Sequence, residues 1–165
     1  MPCCGDQFAT INIVCNRCIT DMAGALAFGY PPLSSCMKSF EELRDGFAKA
    51  RAYGDIDKLQ EIYQGLLLHD TEVAHLKALH VKGNIDLRTG NLDEAKAALT
   101  EVLAAYNHLG NLDVTSNVYN DLGHVGQLMN DHEKALGYIQ QALEQHRKLN
   151  DAINVGNDKG IMAYT

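Results

Sequence analysis

The chain is short of positive charge, of long apolar runs and, over most of its length, of cysteine, and each shortage removes a class of function. Its 14 Lys and Arg stand against 21 Asp and Glu, for a net charge of −7 at pH 7. A nucleic-acid or anionic-membrane surface needs a basic face, so neither partner is expected. No stretch approaches the roughly 18 consecutive apolar residues of a membrane span. The N-terminus also lacks the basic start and long apolar core of a secretory signal, and together these absences point to the cytoplasm. Motifs that announce chemistry are missing as well: there is no H-E-x-x-H, no G-x-S-x-G, no P-loop and no G-x-G-x-x-G. Trp is absent, yet 46% of the 165 residues are apolar, enough for one domain with a substantial core.

Beyond Cys36 there is no cysteine; Cys3, Cys4, Cys15, Cys18 and Cys36 all fall near the N-terminus. An odd count disfavours a complete disulfide framework, and in a reducing compartment all five are thiols. Cys15-x-x-Cys18 has the spacing with which two thiolates bind one zinc, with Cys3 and Cys4 as weak candidates to complete four ligands. Adjacent cysteines point their side chains apart, however, and no second CxxC or His pair follows. No strand–helix context supports a redox CxxC either, so no metal and no cofactor is expected. Residues 1–37 read as an irregular, poorly ordered leader. Phe8 to Val14 alternates weakly, like a short strand; Asp21 to Phe28 is rich in Ala and Gly; Gly29-Tyr30-Pro31-Pro32 breaks whatever precedes it.

What the rest of the chain has is an internal echo. Lys82-Gly83-x-x-x-x-x-x-Gly90-Asn91-Leu92-x-x-Ala95 returns about forty residues later as Leu122-Gly123-x-x-x-x-x-x-Asn130-Asp131-His132-x-x-Ala135. Upstream, Phe47-x-x-Ala50-x-x-x-Gly54-Asp55-Ile56-x-x-Leu59 repeats the spacing with bulkier residues. Downstream, Asn154-Val155-Gly156-Asn157-Asp158-Lys159-Gly160 matches Asn117-Val118-Tyr119-Asn120-Asp121-Leu122-Gly123 at five positions of seven. A recurring spacing of small and apolar residues means one supersecondary unit stacked on its own copies. Gly83 and Gly123 belong where two helices approach closely, and Ala95 and Ala135 one turn into the following helix.

At these residues the chain resembles the tetratricopeptide repeat family, in particular its longer-period members, over about residues 38 to 165. The resemblance implies an all-α fold: a right-handed α-solenoid of about three and a half stacked helix–turn–helix hairpins. Phe47 and Leu59 depart from the family at two positions that are usually small, which makes the first hairpin the most divergent.

The pattern predicts helices at about 39–53, 56–69, 72–89, 92–108, 113–129, 132–148 and 152–164. Ser39, with Glu42 three residues on, has the capping-box spacing that starts the first. The breaks come at Gly54-Asp55, Asp70-Thr71, Gly90-Asn91, Gly110-Asn111, Asn130-Asp131 and Asn150-Asp151. Leu92, Ala95, Leu99, Val102, Leu103 and Tyr106 share one helical face, as do Ala135, Ile139, Ala142 and Leu143, and these stripes are expected to be core. The last helix has no second helix to complete its hairpin, leaving Val155, Ile161, Met162 and Tyr164 without the partner that earlier repeats have. The expectation is a fragment of a longer protein, a homodimer formed through this C-terminal helix, or a helix that packs as a bare cap, in that order.

Family likeness also says where a ligand would lie. In tetratricopeptide repeats the concave groove is lined by the first helix of each hairpin, at positions six and three before the small residue and one after it. Carried over, this implies Glu41, Arg44 and Ala48, then Lys77, His80 and Asn84, then Asn117, Asn120 and His124, and finally Asn154 and Asn157. Asparagine suits such a place because its amide matches the paired N–H and C=O of an extended peptide, and Asn120 and Asn157 resemble the asparagines with which longer-period members hold one. Arg44, Arg51, Lys77, His80 and Arg88 add positive charge, favouring an acidic or carboxylate-bearing ligand. The carboxylate-clamp subtype is not matched, since His80 stands where a clamp carries Lys and Asn120 replaces a clamp residue.

The expected function is therefore a non-catalytic module that binds a protein or peptide partner. The alternative is the sensory or regulatory segment of a larger signalling or transcription-regulating protein, whose input arms such repeats resemble. Seven histidines are spread along the repeats, and His69 with His75, or His108 with His146, are the pairs that could lie near one another. A catalytic site needs convergent groups in a dry pocket, whereas an open groove stays wet, so no enzyme is expected.

Overall fold

The computed structural model describes residues 38–163, without the side chains of residues 152, 153, 157 and 161. The leader and its five cysteines lie outside the described residues, as does Tyr164. The described chain forms helices α1 (Phe40–Tyr53), α2 (Ile56–Leu67), α3 (Glu72–Thr89), α4 (Leu92–His108), α5 (Leu112–Leu128), α6 (His132–Lys148) and α7 (Ala152–Met162).

Local chemistry sets the boundaries. At α1 the capping box is complete: Glu42 N–H donates to Ser39 Oγ at 3.2 Å, and Ser39 N–H donates to Glu42 Oε2 at 2.8 Å. Each joint then works as a stop followed by a cap. Gly54, Gly90 and Gly110 take left-handed φ of 67°, 85° and 67°, and Asn130 and Asn150 do the same at 58° and 55°. Glycine bears no steric penalty there, and asparagine bears less than other residues. The next residue caps the following helix at four of these five joints: Asp55 accepts from Lys58 N–H, Asn111 from Val114 N–H, Asp131 from Lys134 N–H and Asp151 from Asn154 N–H. Asn91 makes no side-chain cap bond.

Four helices differ from the sequence expectation: α1 starts one residue late, at Phe40, because Ser39 is its cap, and α7 ends at Met162. α2 stops at Leu67, two residues early, because His69 leaves the helix and its Nε2 meets the Lys38 carbonyl at 3.0 Å. α5 is shifted one residue towards the N-terminus, because the Asn111 cap admits Leu112 as its first residue.

Successive helices pack on one another into an all-α solenoid of hairpins α1/α2, α3/α4 and α5/α6, with α7 beginning a fourth. α1 also meets α3, and α3 meets α5, so the first helices form one layer along the inside of the stack. Small residues set the spacing. A Cβ on Gly83 would lie 2.9 Å from Leu99 Cγ, and one on Gly123 only 2.5 Å from Ile139 Cγ1. The divergent first hairpin reaches the same closeness elsewhere: Phe47 and Leu59 are buried core, and Gly65 of α2 makes the room, its would-be Cβ 2.8 Å from Leu43 Cδ2.

Two core clusters stand out among the described residues, beside the buried Ala135, Ile139, Ala142 and Leu143 of α6. Leu43, Phe47, Leu59, Ile62, Leu66 and Val81 anchor the first; Leu99, Val102, Tyr106, Val118, Leu122 and Val125 anchor the second. The expected stripes are core as predicted, with Leu92 and Leu103 half-buried at their margins. Burying each large aliphatic side chain contributes about 1.5–3 kcal/mol. Of the expected unpartnered face on α7, Val155 and Met162 are half-buried. No helix among the described residues is long and apolar enough to cross a membrane.

Candidate functional site

On the inner layer, i and i+4 spacing puts His80 and Asn84 on one face of α3, and Asn117 and Asp121 on one face of α5. These two faces meet at Asp121. Its Oδ2 accepts from Asn84 Nδ2 at 2.9 Å and from His80 Nε2 at 3.1 Å. A carboxylate only accepts, so the His80 proton sits on Nε2 and Nδ1 is bare. From the last turn of α1, Arg51 reaches across α3 and donates from Nε to Asp121 Oδ1 at 2.9 Å, with Nη2 2.8 Å from the same oxygen. Its Nη1 donates to Asn117 Oδ1 at 2.9 Å and its Nη2 to the Asn117 carbonyl at 3.1 Å. Arg88 closes the group by donating to the Arg51 carbonyl at 2.6 Å.

The electrostatics follow from burial and pairing. Burial alone would raise the Asp121 pKa, but the Arg51 guanidinium and the His80 hydrogen bond outweigh it and hold the carboxyl well below the usual carboxylate range. His80 is fully enclosed, and burial pushes its pKa down to about 4 against the pull of Asp121, so it is neutral at pH 7. His80 Nδ1 and Asn84 Oδ1 are buried with no hydrogen-bond partner among the described residues. Such atoms cost stability unless satisfied.

A second rung lies one repeat on. Asn120 Nδ2 donates to Asp158 Oδ1 at 2.7 Å, and His146 Nδ1 lies 2.6 Å from Asp158 Oδ2. The Asn120 amide, expected to face a groove ligand, thus serves the next helix and is 9% exposed. His80 and Asn84, at 1% and 0%, are likewise turned into the stack by Asp121. The reason is common to all three: an acceptor on the neighbouring first helix offers a better partner than water.

The other expected groove residues are placed differently. Arg44 is exposed and pairs with its neighbour Asp45 at 2.9 Å. Asn117 is half-buried and its Nδ2 donates to the Asp113 carbonyl at 2.8 Å. His124 is half-buried; burial lowers its pKa, opposed by the Asp121 charge. Asn154 is half-buried, its Nδ2 donating to Asp151 Oδ2 at 2.7 Å, and the Asn157 side chain lies outside the described residues. Glu41 and Ala48 are exposed on α1.

Lys77 is the odd member. It is 7% exposed, and its Nζ lies 5.5 Å from the Phe47 ring centroid and 5.6 Å from that of Tyr106. Among the described residues it forms no ion pair, so ring faces stand in for a carboxylate. Burial pushes its pKa down to about 8; Asp113 opposes that, while Arg44 and Arg51 add to it. The hub Asp121 escaped the sequence reading, although it is one of the five matched positions in the Asn117–Gly123 echo, as is Asp158. No group of three or more His, Cys, Asp or Glu among the described residues is arranged to hold a metal ion.

One family model, described as tetratricopeptide repeat, matches residues 74–148, the stretch from α3 to α6 that contains both Asp121 and the amide and imidazole of the second rung. No curated protein and no solved structure matches the chain.

Proposed function

We propose, from the premise that residues 74–148 are tetratricopeptide repeats, that the inner face of α1, α3 and α5 binds an extended, acidic segment of a protein partner. Such repeats generally mediate protein–protein interaction and typically act as non-catalytic scaffolds. The observation that carries the reading is Lys77: an ammonium on the inner layer, held between two rings and paired with no carboxylate among the described residues, in a chain whose net charge is −7. Arg44 lies close enough to act on it and is exposed. A partner carboxylate would supply the missing counter-charge, and half-buried Asn117 and His124 offer polar contacts along the same layer.

Hydrogen bonds to Asp121 and Asp158 narrow the set of residues that touch the partner. His80, Asn84 and Asn120 serve the stack, which on α1, α3 and α5 leaves Arg44, Lys77, Arg88, Asn117 and His124 for the ligand; of the two expected on α7, Asn154 is half-buried and the Asn157 side chain lies outside the described residues. Fluorescence anisotropy with labelled extended peptides of acidic, neutral and basic composition tests this. The acidic peptides should bind, and Lys77→Met with Arg44→Ala should weaken them by tenfold or more without changing helicity. Equal binding of acidic and basic peptides, or full binding by the double variant, would defeat the assignment.

A further inference from the structure

We infer that Asp121 and Asn117 form a guanidinium-binding site on the inner layer, occupied at rest by Arg51 of the same chain, and that an arginine side chain from a partner can exchange into it. The contacts are those of a planar fork. All three guanidinium nitrogens are used: Nε and Nη2 on Asp121, Nη1 on the Asn117 side-chain oxygen and Nη2 also on the Asn117 carbonyl. A lysine ammonium is a point charge and cannot make this set.

The acceptors are held in place by groups other than Arg51. Asn84 and His80 grip Asp121 from α3, and Asn117 Nδ2 is tied to the Asp113 carbonyl, which turns its oxygen towards the guanidinium. Departure of Arg51 therefore leaves a formed site with an uncompensated buried carboxylate, and that charge is what draws in a replacement. The site also has a way in, because the Arg51 side chain is 20% exposed while that of Asp121 is 4% exposed.

The arginine is what distinguishes this rung from the second one. Asp158 is as buried as Asp121 and is met by an amide and an imidazole, yet no guanidinium or ammonium pairs with it among the described residues. Among the described residues the second rung therefore has no counterpart of Arg51, which comes to Asp121 from a helix two hairpins away. A partner segment carrying one arginine among acidic residues would satisfy both Asp121 and Lys77. The guanidinium site does not rest on that acidic reading, and its test uses no partner.

The experiment is chemical rescue of Arg51→Ala in the full chain. The variant should melt below wild type, and millimolar methylguanidinium chloride should restore at least half of the loss. Methylammonium chloride and sodium chloride at the same concentration should not. Equal effects of the three salts would overturn the site. Should Arg51→Ala fail to fold, Arg51→Gln, which keeps the stem, is rescued by the same salt under the same criterion. For the exchange, the Arg51 Nε–H resonance of wild-type protein should shift progressively with N-acetylarginine amide and not with N-acetyllysine amide; an unmoved resonance at high excess would refute displacement.

Discussion

The two buried aspartates occupy matching places in successive repeats and are satisfied in different ways. Asp121 gathers Asn84 and His80 from α3 and Arg51 from α1, so one carboxylate ties three hairpins together. Asp158 takes Asn120 from α5 and His146 from α6, and its reach ends there among the described residues. The imidazole comes from a first helix and through Nε2 in one rung, from a second helix and through Nδ1 in the other. What repeats is thus the need for a saturated acceptor and not the identity or the origin of its donors. A buried carboxylate without donors is costly, and any side chain that reaches it with a proton serves.

The two rungs should differ most in what loss of the aspartate costs. Asp121→Ala should cost about 3–5 kcal/mol, because it strands the Arg51 charge and two further donors in a part-buried seam. Asp158→Ala strands an amide and an imidazole and should cost less, about 1–3 kcal/mol. Urea unfolding of both variants measures the difference, and equal losses would mean that the arginine adds nothing.

Acid should act on the Asp121 rung through His80. Its pKa is about 4 when folded against 6.5 for the ordinary group, so between those values the unfolded chain binds more protons than the folded one. Stability then rises with pH and is lost as pH falls from 6.5 towards 4, with a slope of up to about 1.4 kcal/mol per pH unit for one proton. Below that window the depressed carboxyl of Asp121 adds its own loss. His80→Gln keeps an amide donor and should flatten the slope above pH 4; an unchanged slope would assign it to another group.

The smallest expected effect is a gain. Lys77 borders the Asp121 rung with a charge that burial disfavours, so Lys77→Met, keeping the stem between Phe47 and Tyr106, should stabilise by about 1 kcal/mol at pH 7. Because the folded pKa of about 8 lies below the ordinary 10.5, wild type should close that gap as pH rises through this window, when the unfolded chain holds more protons. Melting curves at pH 7 and pH 10 read both. A variant that melts lower at pH 7 would show that the rings stabilise the ammonium by more than its burial costs.

How far these features were legible depended on how local their causes are. The joints were readable because a left-handed residue and a cap are neighbours in the chain, as at Asn130-Asp131 and Gly110-Asn111. The close approaches at Gly83 and Gly123 were readable because their partners, Leu99 and Ile139, lie within one hairpin. Where Asn84 and Asn120 point was not readable from their own helices. Each is decided by a carboxylate a whole repeat away, Asp121 and Asp158, and an inner-face amide looks the same in sequence whether it meets a ligand or the next helix. The repeated aspartate of the seven-residue echo was the available signal, since a carboxylate recurring on an inner face asks for a donor on the facing helix.

The stop-and-cap joints bear on how such a stack can change. Each leaves almost no slack between helices, and a helix turns by about 100° per residue. Deleting one residue at Asn130-Asp131 would therefore rotate α6 by more than a quarter turn, carrying His146 away from Asp158 and Ile139 away from Gly123 without changing the identity of any of those residues. The joints act as the angular index of the stack, and which donors meet which carboxylate is written as much in their length as in the rung residues themselves.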